Sequence, residues 1–192
     1  MYVKTTMNNF INLTMISEKV CDDLISLHLT SPKSSGTIAT PGLDNQSNHN
    51  SKNSIESVYN PTRTELTPYF KELHQSLDAY ITLYPFCNNY GSFSIIENVK
   101  IQEYEPGGGY LDFHTERGSC EYPNSSRHLV FMTYLNSIKI GGGTKFFHQN
   151  TEIVATKGLT VIWPADWTHT HQGVKAPEET KYIITGWYNF TK

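Results

Sequence analysis

HLVFMTYLNSIKIGGGTKFFHQNTEIVATKGLTVIWP, residues 128–164, decides the architecture. It breaks into short runs rich in Val, Ile, Thr, Phe and Tyr. Side chains of this kind pack well on a pleated surface. HLVFMTYLN reads as a strand, GGGTKFF as a turn and a strand, and EIVATKGLTVIWP as two strands and a turn. Gly and Asn separate them, as turns require. The glycines of GGGT are not followed by a helix start with Lys-Ser/Thr, so they read as a tight turn rather than a phosphate loop.

The same texture extends in both directions. Upstream, SIIENVKIQEY (94–104) predicts a strand, EPGGGY (105–110) a turn and LDFHTE (111–116) a strand. Downstream, DWTHTHQGV (166–174) and KYIITGWYNF (181–190) predict strands. WPADW, residues 163–167, reads as a turn whose tryptophans belong to the core. No strand–helix–strand alternation occurs, which excludes a parallel α/β sheet and favours a sandwich or jelly-roll barrel.

The N-terminal part differs. ISEKVCDDLISLH (16–28) spaces its apolar residues as a helix does, with Ser17 placed to cap it. TELTPYFKELHQSLDAYITLYPF (64–86) is a stronger amphipathic helix, with Pro68 in its first turn and His74 read as a satisfied or exposed histidine rather than a ligand. Between them, residues 31–54 are rich in Ser, Asn, Gly and Pro and read as a long loop, with a short strand at Thr37–Thr40. The expected fold is therefore α+β, mainly β: a double-stranded β-helix (jelly-roll) core with N-terminal supporting helices. One domain, 1–192, is expected, with helical support and loop in 1–93 and the jelly-roll in 94–192.

Composition excludes several classes. The chain has 192 residues, a formal net charge of −3 and no basic stripe, so nucleic acid is not expected as a partner. No apolar run reaches the roughly 18 residues that span a bilayer. The first residues are too polar for a signal peptide, so an intracellular, cytoplasmic location is expected. Cys21, Cys87 and Cys120 are odd in number and widely spaced, which predicts free thiols.

The chemistry lies in the predicted barrel. His114 and Glu116, two apart on a strand, share a face. His169 and His171 share a face of a later strand, and either could complete a set of two imidazoles and one carboxylate. That set, on one side of a metal, is the facial triad of non-haem Fe(II) oxygenases. In KYIITGWY, alternation points Lys181, Ile183, Thr185 and Trp187 to one face. A lysine turned inward is costly unless paired, and a bound dicarboxylate would supply the partner.

YEPGGGYLDFHTE, RHLVFMTYLN, GGGTKF, KGLTVIWP and HTHQGVKAPEETKYIITGWY together resemble the Fe(II)- and 2-oxoglutarate-dependent dioxygenases of the prolyl 4-hydroxylase type. The resemblance implies that His114, Glu116 and His171 ligate iron, His171 being preferred over His169 because it lies ten residues before Lys181. It implies that Lys181 pairs with the distal carboxylate of 2-oxoglutarate, that Tyr104 and Tyr134 line that pocket, and that Thr185 and Trp187 form its far wall. Arg127 matches a position near the substrate entrance. The family's usual carboxylate is Asp; this chain carries Glu116, one methylene longer. The implied activity is hydroxylation of a substrate C–H, foremost a peptidyl proline, with release of succinate and CO2 and with ascorbate as reductant. The substrate would be a peptide, protein or small molecule, contacted by residues 31–60 and 117–126. Two other readings stand beside it: a cupin-like metalloenzyme that does not use 2-oxoglutarate, and a non-catalytic jelly-roll binding protein.

Overall fold

The computed structural model describes residues 9–36 and 51–191. The elements run β1 (Asn12–Met15), α1 (Glu18–Thr30), β2 (Ser34–Ser35), β3 (Ile55–Tyr59), α2 (Thr67–Leu83), β4 (Phe93–Ser94), β5 (Val99–Tyr104), β6 (Arg127–Tyr134), β7 (Thr144–Phe146), β8 (Thr151–Ile153), β9 (Leu159–Pro164), β10 (His171–Gly173) and β11 (Lys181–Phe190). They form two antiparallel sheets. The larger has the order β1-β9-β6-β11-β5-β3-β2, with β4 also paired to β11; the smaller is β10-β7-β8. This is the expected mainly-β jelly-roll.

Strand alternation explains the layers. Leu129 and Phe131 of β6, with Ile101 of β5 and Ile184 of β11, turn to the helices and meet Val20, Leu24, Tyr69, Leu73 and Leu77. Val130, Met132 and Tyr134 of β6, with Ile183 and Trp187 of β11, turn the other way and meet Phe146, Ile153 and Trp163. The central strands are thus apolar on both faces, which is why HLVFMTY reads as a continuous run rather than a strict alternation.

Both predicted helices form. Ser17 occupies the N-cap position of α1 but makes no cap bond; its hydroxyl donates to Glu72 Oε1 at 2.8 Å and so ties α1 to α2. His74 is exposed. At the GGGT turn, Gly141 and Gly142 both have φ of +71°, and a Cβ on Gly141 would lie 2.0 Å from the Lys175 carbonyl oxygen. The turn therefore requires glycine.

Four expectations need correction. SIIENVKIQEY is not one strand: Ser94 ends β4, residues 95–98 lie outside any strand, and β5 begins at Val99. LDFHTE is not a strand: it carries a single bridge, His114 to His171. DWTHTHQGV begins with a 3-10 turn, Trp167–His169, and only His171–Gly173 is strand, so His169 and His171 do not share a strand face. Trp167 is exposed at 64%, whereas Trp163 is core. The short strand expected at Thr37–Thr40, and most of the long loop, lie outside the described residues. The loop's far end is pinned: Leu111 N donates to Ser51 O at 2.8 Å and Asn53 N to Gly109 O at 3.0 Å.

Candidate active site

His114 and His171 are brought together by backbone, not by chance of side-chain reach. Each N–H donates to the other's carbonyl at 2.9 Å. The rings lie 4.4 Å apart between centroids. Each Nδ1 meets a carbonyl at 2.9 Å, Asp112 O for His114 and His169 O for His171. A carbonyl only accepts, so Nδ1 carries the proton and Nε2 keeps its lone pair free. Both Nε2 atoms face the Glu116 carboxylate, whose Oε1 lies 3.6 Å from His114 Nε2 and 3.5 Å from His171 Nε2. Those distances are long for hydrogen bonds, and the three ligand atoms all lie within 4.8 Å of one another.

Ring packing fixes the histidines further. Tyr110 stacks on His114 at 3.6 Å and 10°. Trp163 meets His171 edge-on at 5.1 Å. Burial, and then the neighbouring His171 ring, lower the His114 pKa and keep the ring neutral. Burial works to raise the Glu116 carboxyl, but the two imidazoles beside it outweigh this and hold it well below the usual carboxylate range. Two imidazoles and one carboxylate on one side, with open space opposite, are the donor set that suits Fe(II) with free coordination positions.

The open side is a cavity of about 670 Å³. Its walls include Lys100, Gln102 and Tyr104 of β5 and Lys181, Ile183, Thr185 and Trp187 of β11. The register pairs Lys181 with Tyr104, Ile183 with Gln102 and Thr185 with Lys100. The inward alternation of Lys181, Ile183, Thr185 and Trp187 therefore holds. Lys181 is 3% exposed, and its Nζ sits 4.8 Å from the Tyr104 ring centre. Burial pushes its pKa down to about 8. Among the described residues no carboxylate pairs with it. The Thr185 hydroxyl is committed to Phe131 O at 3.0 Å.

Other expected residues fall differently. Tyr134 does not line the cavity. It is wholly buried, and its hydroxyl meets Thr144 Oγ1 at 2.6 Å; Thr144 is the lining residue. His169 is turned away, its Nε2 bonded to Asn9 O at 2.9 Å. That leaves the HTH motif one histidine for the cluster. Arg127 lines the cavity and is held by Glu97 through bonds of 2.8 and 2.7 Å. Of the 117–126 segment, Tyr122, Pro123 and Asn124 line the cavity.

Sequence reasoning missed a buried charge cluster in one wall. Glu56 Oε1 lies 2.5 Å from Lys52 Nζ, and Oε2 lies 3.1 Å from Lys100 Nζ. Gln102 Nε2 donates to Glu56 Oε1 at 2.8 Å, and the Tyr104 hydroxyl to Gln102 Oε1 at 2.8 Å. Strand alternation along β5 puts Gln102 and Lys100 on the same face as Tyr104, so β5 contained that signal.

Residues 99–189 match the model of the 2OG-Fe(II) oxygenase superfamily. No curated protein is similar enough in sequence to match. Among solved structures, the chain resembles the viral collagen prolyl hydroxylase of Paramecium Bursaria Chlorella virus-1, with 19% identity, TM-score 0.67, and coverage of 95% of this chain and 97% of that one. It resembles the Trichoplax adhaerens prolyl hydroxylase solved with a hypoxia inducible factor peptide fragment, with 16% identity, TM-score 0.74, and coverage of 95% and 84%. A Pseudomonas putida prolyl-4-hydroxylase is similar at 13% identity, TM-score 0.68, and coverage of 95% and 93%. At these identities the likeness to solved structures is one of fold. Residues 99–189, just under half of the chain, thus match the 2OG-Fe(II) oxygenase model, and they carry a His-Glu-His cluster that opens on a cavity, which supports an oxidoreductase of the 2-oxoglutarate-dependent dioxygenase type on a prolyl hydroxylase-like fold.

Proposed function

We propose that residues 1–192 act as one catalytic domain that hydroxylates a peptidyl proline. In this reading His114 Nε2, Glu116 Oε1 and His171 Nε2 hold Fe(II), and Lys181 receives the distal carboxylate of 2-oxoglutarate. Fe(II) with 2-oxoglutarate and O2 supplies the oxidising power for C–H hydroxylation, with release of succinate and CO2, and ascorbate keeps the metal reduced. The chain's own contribution is to bind, orient and exclude water.

One observation carries the reading: Lys181 is a buried cation with no carboxylate beside it among the described residues, in the wall of the cavity that the His-Glu-His cluster faces. A dicarboxylate spanning from the metal to Lys181 removes that cost. Tyr104 and Thr185 belong to the same cavity wall. Tyr122, Pro123 and Asn124 stand at the cavity wall toward the 117–126 segment, where a peptide would enter. Solved prolyl hydroxylases of the same fold support a peptide substrate.

The test is an anaerobic titration of the purified chain with Fe(II) and 2-oxoglutarate, followed through the visible charge-transfer band of the chelate. A band that disappears in His114→Ala and His171→Ala supports the assignment. Absence of a band in the unaltered chain overturns it and favours a non-catalytic barrel. Turnover is then measured as proline-dependent succinate release on Pro-rich peptides; release that no such peptide stimulates refutes the substrate.

A further inference from the structure

Glu116 presents two oxygens to two different surroundings. Oε1 faces both imidazoles. Oε2 accepts a hydrogen bond from Trp187 Nε1 at 3.0 Å and lies 3.7 Å from Arg127 Nη1. That same Nη1 donates to the Glu116 backbone carbonyl at 2.9 Å. The guanidinium stacks 3.5 Å from the centre of the Trp187 ring. Glu97 grips the guanidinium through both its carboxylate oxygens, and Asn189 Nδ2 donates to Glu97 Oε1 at 2.8 Å. Arg127 opens β6 and Trp187 lies in β11. These are paired strands with Trp187 opposite Val130, so the clamp stands on the rigid sheet.

A glutamate needs such a clamp more than an aspartate does. It has one more torsion to fix, and its carboxylate reaches about 1.5 Å further from the backbone. Resting on the metal-site reading above, we propose that Trp187 and Arg127 are positioning residues that hold the outer oxygen of Glu116 so that the inner one is presented to the metal, and that Trp187 does this only for a side chain of glutamate length. A carboxylate shortened by one methylene withdraws from the indole N–H by about that same 1.5 Å and loses the bond. The Arg127 bond to the backbone carbonyl does not depend on side-chain length.

The coupling is measurable without turnover. Co(II) serves as the probe, its visible band titrated into the full-length chain, with the melting temperature of the metal-free protein recorded alongside. Trp187→Phe keeps a ring for Arg127 to stack on and removes the N–H. It is expected to weaken Co(II) about tenfold, the lower end for an outer-shell partner. In the Glu116→Asp background the same change is expected to alter Co(II) affinity less than about twofold. An unchanged affinity for Trp187→Phe, or an equal loss in both backgrounds, overturns the proposal while leaving the metal site standing. Should Trp187→Phe melt early, Arg127→Lys reads the clamp from its other side: the charge remains, but the fork and the stacked plane are lost. Weaker Co(II) binding is expected there, and unchanged binding overturns the proposal. If the unaltered chain binds no Co(II), the metal reading fails and the clamp fails with it.

Discussion

Lys181→Met separates function from stability in opposite directions. The ordinary lysine value is 10.5, and burial pushes Lys181 to about 8. Holding the charged form buried at neutral pH without a carboxylate partner therefore costs about 3 kcal/mol. Methionine has nearly the same length, no charge and a flexible apolar stem, so it fills the place without that cost. The metal-free variant should be more stable than the unaltered chain. At about 2 to 4 °C per kcal/mol for a chain of this size, the rise in Tm should be several degrees. The cosubstrate loses the opposite amount. A charge-assisted bond from a buried ammonium to a carboxylate contributes roughly 2 to 3 kcal/mol. Its loss should raise the Kd of 2-oxoglutarate roughly 30- to 150-fold.

The assay is thermal melting with and without 2-oxoglutarate in the presence of Mn(II), plus direct titration for the Kd. The unaltered chain should gain stability from 2-oxoglutarate in proportion to RT ln(1 + [L]/Kd), and Lys181→Met should gain little at the same concentration. A variant that melts lower without ligand would mean that Lys181 has a stabilising partner, against the geometry. A variant that binds 2-oxoglutarate as tightly as the unaltered chain would remove Lys181 from the site.

Three further outcomes follow from the same structure. His171→Ala should abolish Fe(II) binding, whereas His169→Ala should leave it intact and cost about 1 to 2 kcal/mol of stability through the lost bond to Asn9 O, read by metal titration and urea melts. Free Lys181 is charged below about 8 and neutral above it, so the Kd of 2-oxoglutarate should be flat below that pH and rise up to about tenfold per pH unit above it; a flat profile to pH 9.5 would refute the assignment. Glu56→Gln should cost about 3 kcal/mol, because the carboxylate sits between two ammoniums. Burial opposes ionisation of Glu56, but Lys52 and Lys100 lower its pKa. Its contribution should therefore be complete above the unfolded value near 4.3 and fade as pH falls further, and the unaltered chain and Glu56→Gln should converge in stability at low pH.

What the sequence made legible depended on whether a signal was local. Alternation along β11 put Lys181, Ile183, Thr185 and Trp187 on one face, and the sheet holds them there because one face packs on helices and the other on the cavity. Helical spacing found α1 and α2 because apolar residues three and four apart share a face. The two histidine segments were found by composition but given the wrong backbone. LDFHTE and DWTHTH look like strands, yet they share only one pair of reciprocal bonds. Strand alternation therefore left both His169 and His171 eligible, and only the ten-residue spacing to Lys181 favoured His171. The 3-10 turn at Trp167–His169 rotates His169 out toward Asn9 and leaves His171 alone facing Glu116.

The features that stayed hidden depend mostly on distant segments meeting. Lys52 lies four residues before Glu56, but Lys100 reaches that carboxylate only once β3 and β5 pair. Nothing near Glu116 announces that a tryptophan 71 residues later will bind its outer oxygen. Yet the substitution of glutamate for the family's usual aspartate was visible from the start. It raised the question of how a longer carboxylate could reach the same place. The fold answers through separation of tasks: the backbone bridge aligns His114 with His171, while Trp187 of β11 and Arg127 of β6 meet the outer oxygen of Glu116 from the opposite side. If the proposed metal site holds, Co(II) affinity should tolerate changes in the segment 117–126 far better than changes at Arg127 or Trp187, since loops vary with little cost while a ligating carboxylate displaced by about 1 Å would lose the metal.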